Sequence, residues 1–237
     1  MVGYSSKKSR GLPLNWVDYL PTTQVARFGS STSMTPIVGG VAYPIVPMPN
    51  RGTSANDRLA RTARCKYIDA RFDFHRDQFV TTSTTANSII KFRVLLVSRR
   101  INAQNTSSIT AANVLQYGTT PQEAVNSFYN ISEIERFNII CDHTFTLGAP
   151  QSVSVDSGTG HFLVPAVNVT KHFHCKVNRD VKFQADAPTT VVSPNQVEEN
   201  YLQWIIIGAH ALGTTAQTSA EFDVTCSLSQ RLRFYPD

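Results

Sequence analysis

The sequence lacks the features that mark membrane-spanning and secreted proteins. Its apolar run Trp204–Gly208 is far shorter than the ~20 residues of a transmembrane helix. The first residues, MVGYSSKKSRG, hold no apolar stretch after their charges, so we expect no secretory signal and no membrane insertion. The cysteines are few, widely spaced and without a C-x-x-C pair: Cys65, Cys141, Cys175 and Cys226. Each lies in an apolar strand pattern, which favours reduced core thiols.

Catalytic motifs are also missing. The chain has no G-x-S-x-G, H-E-x-x-H, P-loop or G-x-G-x-x-G. Asp69 and Asp73 flank Arg71 on one face of a strand, which indicates a surface ion-pair ladder rather than an acid–base pair. His172 and His174 share a strand face and have the H-x-H spacing of zinc ligands, but the pattern supplies no third ligand. We therefore expect no enzyme activity, no cofactor and no metal.

Acidic residues are scarce in the first part of the chain. Residues 1–100 carry 15 of the 22 lysines and arginines against 5 acids, a net charge of +10. Residues 101–237 carry 7 bases against 12 acids, a net charge of −5. This asymmetry indicates that one part of the fold faces a polyanion; the alternative is a solvated basic surface without a partner.

The basic residues give the candidate nucleic-acid-binding site. Three lie in the acid-free N-terminal segment and four cluster before and at the start of the first long alternating strand: Lys7, Lys8, Arg10, Arg58, Arg61, Arg64 and Lys66. Four more, Arg71, Arg76, Lys91 and Arg93, could extend the positive surface across paired strands. Aromatic interleaving is thin, with Tyr67 and Phe72 nearby and Phe72 expected to be buried. The pattern therefore favours sequence-independent electrostatic binding.

The remaining pattern is that of strands. The even positions Ile68, Ala70, Phe72 and Phe74 are apolar and alternate with polar residues, which predicts a half-buried strand. Residues 89–97, IIKFRVLLV, repeat this alternation, and residues 201–207 are apolar on both faces, as in a central strand. AANVLQY at 111–117 predicts a short helix. Seven or eight strands with uneven loops predict an all-β fold, a single jelly-roll β-sandwich of two four-stranded antiparallel sheets.

We expect three regions along the chain. Residues 1–12 form a flexible basic arm. Residues 13–50, rich in Pro, Gly and Ser, form an extended segment, because Pro44, Pro47 and Pro49 exclude a regular central strand or helix there. Residues 51–237 form the jelly-roll domain.

The order of the motifs resembles that of a known family. It runs from Arg51-Gly52-Thr53 through R-x-x-R-C-K at 61–66 to IIKFRVLLVSRR, a loop and AANVLQY, and then to a strand opening at Arg136-Phe137 and reaching Asp142. The series is similar to the single jelly-roll capsid proteins of small circular Rep-encoding single-stranded DNA viruses and of satellite necrosis-type plant viruses. The resemblance covers roughly residues 50–237.

The resemblance implies a structural protein without enzyme activity. Copies would assemble into a closed icosahedral T=1 shell of about 60 subunits, with the basic arm inside against a single-stranded genome. DNA is implied over RNA by the resemblance alone. The expected location is the virion, and the host nucleus or cytoplasm during assembly. One departure is that relatives usually have a long Arg-rich arm, whereas this arm holds only Lys7, Lys8 and Arg10.

Two other functions are compatible with the pattern. A carbohydrate- or receptor-binding jelly-roll module would present aromatic platforms on exposed loops and form a small oligomer. A cupin-like enzyme would need several histidines and a carboxylate converging inside the barrel, and His172 with His174 is only a fragment of that set.

Overall fold

The computed structural model describes the greater part of the chain. The described residues are 14–19, 26–28, 37–38, 41–42, 46–53, 57–76, 79–81, 89–101, 109–117, 121–148, 153–156, 161–164, 166–184, 196–210 and 224–236. The predicted arm, residues 1–12, lies outside them, as does most of the predicted extended segment. The division into three regions therefore stays a prediction.

Nearly all of the regular structure is β-strand. The helical elements are one-turn pieces, α1 (Ala111–Val114), α2 (Pro121–Ala124) and a 3₁₀ turn (Ile131–Glu133). The strands are β1 (Asn15–Tyr19), β2 (Ala26–Phe28), β3 (Ile37–Val38), β4 (Val41–Ala42), β5 (Thr62–Arg76), β6 (Phe79–Thr81), β7 (Ile90–Ile101), β8 (Phe137–Leu147), β9 (Val153–Asp156), β10 (His161–Val164), β11 (Val167–Phe183), β12 (Val197–His210) and β13 (Val224–Pro236). The predicted all-β class and the short helix at 111 are confirmed. No helix in the described ranges is long and apolar enough to cross a bilayer.

The long strands are joined in one antiparallel sheet. Its order is β4-β3-β2-β13-β5-β11-β12-β7-β8, with β1 paired to β13, and a separate small sheet has the order β6-β10-β9. Strands β11 and β12 share only two register pairs, at Lys182 and Phe183. This short junction acts as a corner where the sheet turns. The long strands are thus hydrogen-bonded as one continuous path and not as two separate sheets of four.

The turn stacks two layers on an aromatic core. The first layer is β1, β13, β5 and β11, and the second is β12, β7 and β8. Phe72 of β5 packs edge-on against Trp204 of β12, with ring centroids 5.1 Å apart. Phe74 contacts Phe92 of β7 at 4.7 Å and Phe145 of β8 at 5.0 Å. Buried aromatic pairs of this kind contribute about 0.5–1.5 kcal/mol each beyond their buried area.

The predicted alternation in β5 is confirmed and is interrupted once. Ile68 and the following even positions through Phe74 are buried. Before them the parity reverses at a β-bulge. Arg233 of β13 pairs with Tyr67 and the next residue, Phe234, pairs with Cys65, so Lys66 is an extra residue in β5. On the other side Asn178 of β11 adopts a left-handed φ of 47° where that ladder also shifts. As a result Cys65 is buried and Arg64 is exposed.

The described parts of the connection between β7 and β8, residues 109–117 and 121–136, cover the outer side of the second layer, and we call them the 109–136 connection. The side chain of Gln203 in β12 accepts from Ile109 N at 2.8 Å and donates to Ile109 O at 3.0 Å. Because this cover is in place, β12 is buried on both faces over 201–207, as predicted. The same cover buries β7 on both faces from Phe92 to Arg99.

Candidate nucleic-acid interface

The outer side of the first layer carries a transverse row of alternating aromatic and basic residues. Trp16 of β1 is in register with Arg233 of β13, which is in register with Tyr67 of β5, which is in register with Lys176 of β11. Strand neighbours are about 4.8 Å apart, so the row spans about 14 Å. We call this side of the layer the basic–aromatic face. Its members are Trp16, Asp18, Arg64, Lys66, Tyr67, Asp69, Arg71, Asp73, His172, His174, Lys176, Asp180, Arg231, Arg233 and Tyr235.

The next row is a network of ion pairs. Arg231 donates from Nε and Nη2 to the two carboxylate oxygens of Asp18 at 2.5 and 2.6 Å. These hydrogen bonds hold the pKa of Asp18 below its ordinary value. Asp69 lies between Arg233 and His174, with Arg233 Nε 3.1 Å and His174 Nδ1 2.5 Å from its carboxylate oxygens. The network fixes the orientation of Arg233, which belongs to the aromatic–basic row, and of Arg231 in the next row.

Aromatic rings on this face are stacked with basic groups. Tyr67 stacks on His174 with ring centroids 5.2 Å apart and planes 20° from parallel. The Arg231 guanidinium lies 5.8 Å from the ring centre of Trp16, which is 46% exposed. Lys66 Nζ lies 5.3 Å from the ring centre of Tyr235. Exposed rings beside cations are the usual platform for unpaired bases and their phosphates.

The ion-pair rows also line an open groove of about 480 Å³. Its walls come from β1, β5, β11 and β13, and include Asp18, Asp69, Arg71, His172, His174 and Arg231. The whole face has six basic side chains against four carboxylates. Its excess of positive charge is therefore small, so binding of a polyanion here depends on stacking as well as on charge.

Two of the residues predicted from the sequence lie on this face. Arg64 is exposed, with Nε 3.7 Å from Asp180 Oδ1. Lys66 donates from Nζ to Asn178 Oδ1 at 3.0 Å and is half-buried. Lys7, Lys8 and Arg10 fall outside the described residues, so the role of the arm stays a prediction.

Two other predicted residues lie elsewhere. Arg58 is 1% exposed: its guanidinium lies 4.0 Å from the ring centre of Phe183 and Nη1 donates to Ala60 O at 2.7 Å. Burial lowers its pKa. Placing Arg58 on a solvent-facing positive surface is wrong for the folded chain, because its side chain packs at the end of the sandwich. Arg61 lies at the rim near the β11–β12 corner, where Nη2 donates to Glu198 at 2.6 Å.

The predicted extension of the positive surface is largely wrong. Of its four residues only Arg71 lies on the face, where Nε is 3.2 Å from an Asp73 carboxylate oxygen, as the ion-pair ladder predicted. Arg76 is 1% and Arg93 is 7% exposed, and Lys91 Nζ bonds Asn126 Oδ1 in the second layer at 2.5 Å. The alternation in β7 gave no sign of the connection that covers its polar side.

Arg93 instead anchors that connection. Its Nε and Nη2 donate to the Asp142 carboxylate at 3.0 and 2.7 Å, while Nη1 donates to the carbonyls of Ala124 and Ser127 at 3.1 and 2.6 Å. Tyr129 Oη donates to Asp142 Oδ2 at 2.7 Å. Burial alone would raise the pKa of Asp142, but the hydrogen bonds from Arg93 and Tyr129 outweigh it and hold this pKa below its ordinary value.

The histidine pair does not gain metal ligands from the fold. Within the described ranges no group of three or more His, Cys, Asp or Glu side chains has metal-binding geometry. His174 is engaged with Asp69 and Tyr67.

Most of the aromatic–basic row was not predicted from the sequence. Trp16, Arg233 and Lys176 come from both ends and the middle of the chain, and only the strand register brings them beside Tyr67. The alternation in the last strand, with Arg231 and Arg233 between buried leucine and phenylalanine, was the available signal. Neither protein-family models nor curated proteins give a match to this chain.

Proposed function

We propose that this protein is a structural viral capsid subunit that self-assembles into a small icosahedral shell around a single-stranded nucleic acid. The observation that carries the proposal is the row Trp16–Arg233–Tyr67–Lys176. Alternating rings and cations on a flat sheet suit a flexible strand whose bases are unpaired, and they offer no hydrogen-bond pattern that would select one base. DNA is proposed over RNA on the resemblance described above.

The strand pairing supports a jelly-roll winding of the domain. The first long strand, β5, pairs with the last, β13, and the second, β7, pairs with β12, the strand before the last. Nested antiparallel pairs of this kind arise when one long hairpin is rolled up, which is how a jelly roll is wound. In this fold the basic–aromatic face forms one outer surface of the sandwich and would line the inside of the shell.

The opposite layer supplies an apolar surface for contact between subunits. In the 109–136 connection Phe128 and Ile131 are each 80% exposed, and Ile134 and Tyr117 are about half exposed. An exposed group of large apolar side chains on one folded chain indicates an interaction site. We assign its partner as a second copy, because a closed shell reuses the same patch on every subunit.

The test is electron microscopy of the purified protein, with the ratio of absorbance at about 260 nm to that at about 280 nm measured on the same fraction to detect nucleic acid. The expected result is uniform closed shells that contain nucleic acid, and digestion with DNase after disassembly, but not with RNase, would identify DNA. The triple variant Trp16→Ala, Tyr67→Ala, Lys176→Ala should form shells with less nucleic acid. Shells with unchanged content would contradict the role of the face. A monomer or small ring at all salt and pH values would favour the binding module.

A further inference from the structure

Two contacts fix how β8 lies against β11. The His143 ring of β8 contacts the Phe173 ring of β11 with centroids 5.2 Å apart. Two residues further along β8, Phe145 contacts Lys171, whose Nζ is 5.0 Å from the ring centre. From the first contact to the second, the residue number rises by two in β8 and falls by two in β11. The facing side chains therefore follow an antiparallel register. The next facing pair in the other direction is Cys141 with Cys175.

The two cysteines meet as that register requires. Their thiols are joined by a hydrogen bond, which holds the pKa of Cys175 below its ordinary value and raises that of Cys141. Cys141 is partly exposed, whereas Cys175 is buried. The other two cysteines, Cys65 and Cys226, are fully buried in the core, where burial raises their pKa. Of the four cysteines, Cys141 and Cys175 are thus the two whose thiols lie close together and can be reached from solvent through Cys141.

We propose that Cys141 and Cys175 form an intramolecular disulfide when the folded chain meets a low-molecular-weight disulfide such as oxidised glutathione. The Cys141 thiolate attacks one sulfur of the external disulfide, forms a mixed disulfide and releases one small thiol. The Cys175 thiolate then attacks the Cys141 sulfur and releases the second small thiol. The protein loses two protons and two electrons, and the external disulfide gains both and becomes two thiols.

The bond would join the layers where backbone pairing does not. Among the described register pairs β8 is paired only with β7, and β11 only with β5 and β12. Among the described residues, backbone pairing joins the two layers at the short β11–β12 corner. A disulfide between β8 and β11 would close a second side of the sandwich with a covalent bond. This inference concerns a single chain and does not depend on the proposed function.

The test uses the full chain carrying Cys65→Ala and Cys226→Ala, which leaves only the proposed pair. After incubation with oxidised glutathione, intact mass spectrometry should show the loss of two hydrogens, and peptide mapping should give one linked peptide pair containing Cys141 and Cys175. The oxidised form should melt about 5–10 °C higher than the reduced one. A reductant should abolish the difference.

The control is the same chain with Cys141→Ala added. It should gain at most a stable mixed disulfide at Cys175 and show no rise in melting temperature. The proposal is overturned if the two-cysteine chain stays reduced or accumulates only glutathione adducts. If the core substitutions prevent folding, the natural chain is mapped instead. There, a bond that involves Cys65 or Cys226 in place of the proposed pair would likewise overturn it.

Discussion

Replacing Tyr67 by alanine tests whether the basic–aromatic face stacks bases. Tyr67 lies at the centre of the row, in register with Arg233 on one side and Lys176 on the other, with its ring stacked on His174. Removal of one stacked base is expected to cost about 1–3 kcal/mol, or about 5- to 150-fold in affinity. The side chain is only half-buried, so the free energy of unfolding should change by no more than about 1 kcal/mol.

The assay is fluorescence anisotropy of a labelled oligothymidylate at several salt concentrations, with light scattering to confirm that the protein is unassembled. Tyr67→Ala removes no charge, so affinity should fall while the slope of log K against log salt stays the same. Lys176→Ala should also weaken binding, but it should lower the slope by about 0.7, the value for one phosphate contact on a single strand. The two neighbours in the row therefore separate stacking from charge.

Tyr67→Phe is the matched control, because it keeps the ring and removes only the hydroxyl. It should bind within about twofold of the natural chain. Our reasoning fails if Tyr67→Ala also binds within twofold, since no base would then be stacked on the ring. It fails equally if the phenylalanine variant loses as much affinity as the alanine variant, which would point to the hydroxyl.

Four further predictions concern other residues. Asp69→Asn removes a carboxylate from the centre of the face, so oligonucleotide binding should tighten and the salt slope should steepen by about 0.7; an unchanged slope would contradict this. Asp142→Ala leaves the buried Arg93 without its carboxylate and should lower the free energy of unfolding in urea by about 3–5 kcal/mol, and a loss under about 1 kcal/mol would refute the anchor. The pKa of the Asp142 carboxyl is lowered in the folded chain, so ionised Asp142 stabilises the fold above its ordinary pKa of about 4. This stabilisation is lost as the pH falls through the lower folded pKa. Asp142→Asn should therefore flatten the acid side of the curve of unfolding free energy against pH. Phe128→Ser should leave the melting temperature nearly unchanged and abolish shells in micrographs, and normal shell yield would exclude this residue from the subunit contact.

Local patterns in the sequence predicted those parts of the fold where one side of a strand meets the core and the other meets water. The alternation around Phe72 and Phe74 is such a case, and it is confirmed because the polar positions of β5 do face solvent. The same pattern was misleading for Arg93. Its strand is covered by the 109–136 connection, and no property of the strand itself reveals what lies over it.

The candidate site was harder to predict than the strands that carry it. Arg64 and Lys66 were found because they are close in sequence to other bases. Trp16, Arg233 and Lys176 lie on three different strands, and they become neighbours of Tyr67 only through the register of the ladders. Register depends on bulges and on turn geometry, which alternation alone does not encode.

The bulge at Lys66 changes which side of the sheet several side chains face, although it adds only one residue to the strand. With the parity that Ile68 to Phe74 set, an uninterrupted strand would turn Arg64 and Lys66 into the core and Cys65 out to solvent. The extra residue reverses that assignment for everything before it, while the composition of the strand stays the same. Deleting Lys66 would remove the bulge and leave Arg64 on the solvent side and Cys65 in the core, whereas regular pairing with every residue kept would bury two charges and expose a thiol. The strand register at Lys66 therefore determines which side chains form this surface as much as the amino acids themselves do.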